Sequence, residues 1–125
     1  MILGIGLDWV ENGRIARSME QFGERFVQRI LLPSEWEYCR ALKNPVSHVA
    51  ARFAAKEAAS KAFGVGIGVD LGWHDMEVLR SSGGQPTMAL HGKGHELFCL
   101  RAARRIHVSL THTEGHSAAV VILED

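Results

Sequence analysis

The sequence predicts an α+β fold, with an antiparallel sheet packed against one long central helix. Three observations lead there. The stretch from Val46 or Ser47 to about Phe63 is rich in alanine and carries Val49, Ala50, Phe53, Ala54 and Ala58 at the spacing of a buried helical face. Two β-rich segments, 106–111 and 117–123, are joined through Glu114-Gly115-His116 and read as adjacent strands. Residues 76–80 and 87–90 flank Ser81-Ser82-Gly83-Gly84-Gln85-Pro86, which reads as a hairpin turn. Antiparallel strands with helices grouped against them make an α+β arrangement.

The elements follow in order. Residues 2–7 are apolar apart from Gly4 and Gly6 and predict an opening strand; the missing side chains leave room for another element to pass close to its backbone. Asp8 then falls at the C-terminal end of that strand, at the mouth of a sheet, where ligands often bind; a turn or capping role is the plainer alternative. Asn12 is a plausible cap for a helix to about Phe22. Phe26, Ile30 and Leu31 are helically spaced, and Pro33 stops that segment. Ser34 with Glu37 has the spacing of a capping box for a helix through Leu42. Asn44-Pro45 is a turn, the long helix follows, and Gly64 closes it. A flexible Gly64-Val65-Gly66-Ile67-Gly68 connection leads to the hairpin, and a short helix over 93–103 precedes the last two strands.

Bulk properties narrow the function. The 125 residues fit one domain with a sizeable core, and 46% hydrophobic with 22% charged residues is ordinary globular composition. The formal net charge of zero gives no support to nucleic-acid or membrane-surface binding. Cys39 and Cys99 form no CxxC pair, so a cysteine-ligated zinc is not expected. No apolar run reaches the roughly 20 residues of a membrane span, and no secretion signal is visible, so a soluble cytoplasmic protein is expected.

Three groups of residues could carry chemistry. Glu57 and Lys61 stand one helical turn apart, acid first. That order also stabilises an ordinary exposed helix. Here, however, Phe53, Glu57 and Lys61 share a stripe flanked by alanines at 54, 55, 58, 59 and 62, so the helix packs closely and the acid is partly desolvated. Such an acid wants a cation, and Mg2+ binds through one or two carboxylates with phosphates and water completing its shell. The strand 106–112 alternates, so that His107, Ser109 and Thr111 share a polar face able to meet phosphate oxygens, or simply an exposed edge. Arg14, Arg17, Arg25 and Arg29 form a basic stretch that is either a solvated face or a docking surface for an acidic partner. No Walker or G-x-G-x-x-G loop is present, and the histidine spacing matches no zinc signature.

Taken together, Gly4-Ile5-Gly6-Leu7-Asp8 with Arg14-Ile15, the run Arg52-Phe53-Ala54-Ala55-Lys56-Glu57-Ala58 with Lys61-Ala62, the Gly84-Gln85-Pro86 turn, and His107-Val108-Ser109-Leu110-Thr111-His112 resemble the holo-[acyl-carrier-protein] synthase family. This is the short, bacterial type of 4'-phosphopantetheinyl transferase, and the resemblance covers nearly the whole chain. It implies that residues 1–125 form a single domain with that family's fold. It implies transfer of 4'-phosphopantetheine from coenzyme A to a serine of an apo acyl carrier protein, with release of adenosine 3',5'-bisphosphate. By the same resemblance the catalytic residues are Asp8, Glu57 and Lys61, with Asp8 and Glu57 as Mg2+ ligands and Lys61 on the pyrophosphate. Coenzyme A would be lined by Arg52, Lys61, Gly64, Pro86, His107 and Ser109. An acidic carrier would meet Arg14, Arg17 and Arg25. The family's homotrimers, with active sites between subunits, set the expectation for assembly. Gln85 stands where a basic residue is frequent in the family, and Thr111 where serine is frequent. The alternative is a non-catalytic module that binds a nucleotide or an acidic protein, which leaves two acids placed to share a cation unexplained.

Overall fold

The computed structural model describes all 125 residues. Strand β1 (Ile2–Glu11) opens the chain, followed by helices α1 (Asn12–Phe22), α2 (Glu24–Ile30), α3 (Pro33–Arg40) and the 19-residue α4 (Pro45–Phe63). A short 3-10 turn (Trp73–Asp75) leads into β2 (Met76–Arg80) and β3 (Pro86–Leu90), then α5 (Gly92–Leu100), β4 (Arg105–His112) and β5 (His116–Glu124). The architecture is α+β, as the sequence predicts. β1, β5 and β4 form an antiparallel sheet in that order, and β2 with β3 forms a separate hairpin.

Helix α4 lies at the centre, and its apolar face is wider than periodicity implies. Ala51, Ala55, Ala59 and Ala62 are buried along with Val49, Ala50, Ala54 and Ala58. The sheet covers one side of it, while α1, α3 and β2 cover others. Alanine suits this position because it propagates helix and lets neighbours approach closely. At Gly4 and Gly6 of β1 the approach is tightest. A Cβ on Gly6 would collide with the carbonyl of Ala58, and one on Gly4 with that of Ala62. Strand and helix backbones are therefore in direct contact, and only glycine permits it.

The core is one continuous cluster of 21 buried residues gathered around α4. The opposite face of the three-stranded sheet is open. Along it Ile5, Leu7 and Trp9 are 59%, 64% and 69% exposed, an apolar stripe that in most soluble proteins would be covered. In the ladder these positions stand level with Ile122, Val120 and Ala118 of β5, which are in turn level with His107, Ser109 and Thr111 of β4.

Several local expectations change. β1 does not stop at Leu7 but runs to Glu11, because pairing with β5 continues as far as His116. Asn12 is the first residue of α1 rather than its cap, and its side chain braces the β4–β5 connection by donating to the carbonyls of Thr113 and Glu114. At α3 the capping acid is Glu35, not Glu37: a Glu35 carboxylate oxygen accepts the Leu32 N–H at 2.9 Å. Ser34 instead donates to Glu77.

Candidate active site

The alternation of β1 sends Gly4, Gly6, Asp8 and Val10 toward α4. Asp8 therefore points at the helix from mid-strand, opposite Ala119, and does not sit at a strand end as its sequence context implies. The mouth-of-sheet argument does not apply; what positions Asp8 is the close contact at Gly6. That contact brings the helix turn carrying Glu57 and Lys61 over the carboxylate. Lys61 Nζ lies 3.0 Å from Asp8 Oδ1 and donates also to the Leu7 carbonyl at 3.0 Å.

Glu57 completes a group of three. Partial burial raises its pKa above the ordinary carboxylate value, and the negative charge of Asp8 raises it further, while Lys61 and Arg14 pull it down. Two acids thus influence each other electrostatically, and a lysine is bonded directly to one of them, Asp8. Asp8 Oδ2 and both Glu57 side-chain oxygens are free of protein hydrogen bonds, and Asp8 is only about one-sixth exposed. A divalent cation fits this donor set: hard oxygen ligands, surplus negative charge and open coordination for phosphate oxygens.

The remaining predicted residues fall in two other places. Arg52 is on the same helix but about 140° around it from Glu57. Its side chain is buried, its Nη1 donates to the His48 carbonyl at 3.2 Å, and its guanidinium stacks 4.8 Å above the Tyr38 ring. The Nε of Arg52 is buried without a protein hydrogen-bond partner. It lines a cleft of about 350 Å³ together with Tyr38, Leu79, Arg80 and Ser81, and Pro86 pairs with Arg80 at its edge. His48, whose pKa is lowered by burial and then by Arg52 and His112, stands 5.6 Å from the His112 ring. Sequence spacing hid this grouping of residues 38, 48, 80 and 112, apart from the i, i+4 relation of His48 to Arg52.

His107 and Ser109 lie on the open face of the sheet, as the alternation predicts, because Ile106, Val108 and Leu110 pack inward. His107 Nε2 meets Glu124 Oε1 at 3.0 Å. Within one chain, then, Asp8, Glu57 and Lys61 come together, Arg52 and Pro86 flank a second cleft, and His107 with Ser109 occupies the far side of the sheet. Gly64 ends α4 in the left-handed conformation, φ 75°, three residues beyond Lys61. Arg14 and Arg17 are exposed on α1, and Arg25 with Arg29, Ser18, Phe22 and Phe26 lines a groove of about 510 Å³ across α1 and α2.

Residues 4–121 match the family model of the 4'-phosphopantetheinyl transferase superfamily. The chain belongs to this superfamily. It is 52% identical over 125 residues to the holo-[acyl-carrier-protein] synthase of Koribacter versatilis, covering 100% of both chains. It is 47% identical over 124 residues to that of Maridesulfovibrio salexigens, covering 99% of each. Among solved structures, the holo-[acyl-carrier-protein] synthase of Neisseria meningitidis superposes with a TM-score of 0.93 at 33% identity, over 100% of both chains. The Helicobacter pylori synthase, solved in complex with coenzyme A, superposes with a TM-score of 0.86 at 33% identity, over 96% of this chain and 99% of that one. The chain is therefore an enzyme of the holo-[acyl-carrier-protein] synthase kind.

Proposed function

We propose that this transferase moves 4'-phosphopantetheine from coenzyme A to a serine of an acidic apo acyl carrier protein, with Mg2+ as cofactor. The observation that carries this reading is the convergence of Asp8, Glu57 and Lys61 across the β1–α4 contact, with free carboxylate oxygens beside one ammonium group. The coenzyme A complex of the Helicobacter pylori relative supports the donor.

The carrier serine oxygen bonds to the β-phosphorus, the bridging P–O bond breaks, and adenosine 3',5'-bisphosphate leaves with that bonding pair. Lys61 holds the diphosphate as a point charge, and positioning carries most of the rate, as in other phosphoryl transfers. Asp8 and Glu57 would hold the cation, which supplies neutralisation of the charge on the departing diphosphate. The serine proton must also leave, and Glu57, directly or through a bound water, is one candidate base for it.

The separation of Arg52, Pro86, His107 and Ser109 from the acid pair within one chain supports a homotrimer with active sites between subunits, in which a neighbour supplies part of the nucleotide contact. The uncovered stripe of Ile5, Leu7 and Trp9 supports the same assembly, since apolar area of this kind is removed from water by association. Arg14, Arg17 and Arg25, beside exposed Phe22, suit an acidic amphipathic partner.

The direct test is mass spectrometry of an apo carrier protein after incubation with coenzyme A and Mg2+. A mass gain of one phosphopantetheine group is expected. No gain with several carriers, alongside tight nucleotide binding, would leave the protein a binding module. Sedimentation at micromolar concentration should show a trimer; a monomer at that concentration would remove the shared-site reading.

A further inference from the structure

We propose that Arg101 is a further phosphate-binding residue for coenzyme A, set over the Gly64 turn just beyond Lys61. The inference rests on reading Asp8, Glu57 and Lys61 as the diphosphate site and extends that site along α4. Gly64 follows Lys61 by three residues, about 4.5 Å along a helix axis, and is exposed. Beside it stands the Arg101 guanidinium: a Cβ placed on Gly64 would lie 3.8 Å from Arg101 Nη1.

Arg101 comes from a different element and is held there by backbone structure. It ends α5, its N–H donates to the Leu97 carbonyl at 2.9 Å, and Ala102 in the left-handed region (φ 56°) turns the chain away, with Ala103 N–H donating to Phe98 at 3.1 Å. The chain's six ion pairs leave Arg101 out. It is thus an exposed guanidinium without a carboxylate, beside a bare glycine backbone three residues beyond the lysine that meets Asp8. Coenzyme A carries a diphosphate and a ribose 3'-phosphate, more negative charge than one lysine and one divalent ion balance. The planar fork of arginine binds phosphate oxygens through two parallel N–H bonds, and a glycine lets a phosphate approach without steric obstruction.

The test compares wild type, Arg101→Gln, Arg101→Lys and Arg104→Gln, with coenzyme A and with 3'-dephospho-coenzyme A. Arg104→Gln removes the same charge three residues away and should leave KM unchanged. Arg101→Gln should raise the KM for coenzyme A about tenfold with kcat within about twofold, and Arg101→Lys should fall between. A loss seen only with coenzyme A assigns the contact to the 3'-phosphate; an equal loss with both donors assigns it to the diphosphate. Calorimetric binding of coenzyme A to the same proteins reads the contact without turnover, so a protein that modifies no carrier would sink the transferase reading and leave this one still measurable. Unchanged binding and KM in Arg101→Gln, or an equal loss in Arg104→Gln, would overturn the assignment.

Discussion

Helix α4 carries two lysines that each meet an acid, and the two pairs behave in opposite ways. Lys56 is fully buried, and all three of its N–H donors are used: on Glu35 at 2.6 Å, the Ile30 carbonyl at 2.7 Å and the Trp73 carbonyl at 3.1 Å. Glu35 is equally saturated, with Leu32 N–H on the same oxygen as Lys56 and Val78 N–H on the other. Five turns, helices and strands meet at that pair, and nothing remains for a ligand. Lys61 is about half exposed, and the acids around it keep free oxygens. The difference is one of satisfaction rather than residue type. A closed ion pair fixes neighbouring segments, whereas an open one retains electrostatic energy that a substrate can relieve.

The sharpest way to break this contrast is to remove one member of each pair. Asp8→Ala should lower transfer about a thousandfold or more while shifting stability by less than about 1 kcal/mol, because the lost group faces the proposed cation rather than the core. Activity within tenfold of wild type would end the open-pair reading. Glu35→Ala should do the reverse. It leaves a buried ammonium without its counter-charge and should cost about 3–5 kcal/mol in a denaturant titration, with kcat of the folded fraction close to normal. A small loss there would show that the closed pair is dispensable to the fold.

Gly6→Ala tests what holds the open pair in place. The new methyl group meets the Ala58 carbonyl, so strand and helix must separate, at about 1–3 kcal/mol or more. Transfer should fall further than stability alone predicts, because Asp8 moves away from Glu57. Retained transfer in the folded fraction would refute the positioning role of this contact.

The smallest effect concerns Glu57 alone. Its folded-state pKa is raised by burial first and by Asp8 second, so it contributes stability below its unfolded value and loses that contribution as pH rises through the folded value. Glu57→Gln, measured without added divalent cation, should therefore melt about 1–3 °C higher than wild type near pH 7, with the gain fading toward pH 4. Added Mg2+ should then raise the melting temperature of wild type and not that of the variant. An identical response in both would argue against Glu57 as a ligand.

Much of this was legible in the residues. α4, the hairpin and the two C-terminal strands follow from periodicity and glycine or proline punctuation, and the polar face of β4 follows from alternation. Glu57 and Lys61 were visible because they lie one turn apart. The placement of Asp8 was not: it depends on how far β1 pairs with β5, a tertiary fact that local composition does not encode. Glu35 was hidden for a related reason. Its partners Lys56 and Val78 are distant in the chain, whereas Ser34 and Glu37 offered a local pattern that the fold does not use. Arg52 shows a different limit: nothing local in an alanine-rich helix marks an arginine as buried, and only the arrangement of Tyr38, His48 and the hairpin makes it so.

The backbone-to-backbone seam at Gly4 and Gly6 also constrains how this protein can move. With no side chains between them, β1 and α4 are packed at backbone distance, which leaves little room for either to move toward the other. The floor beneath the acid pair is consequently stiff, whereas the two short helices α1 and α2, joined at Gly23, rest on the molecule's flank.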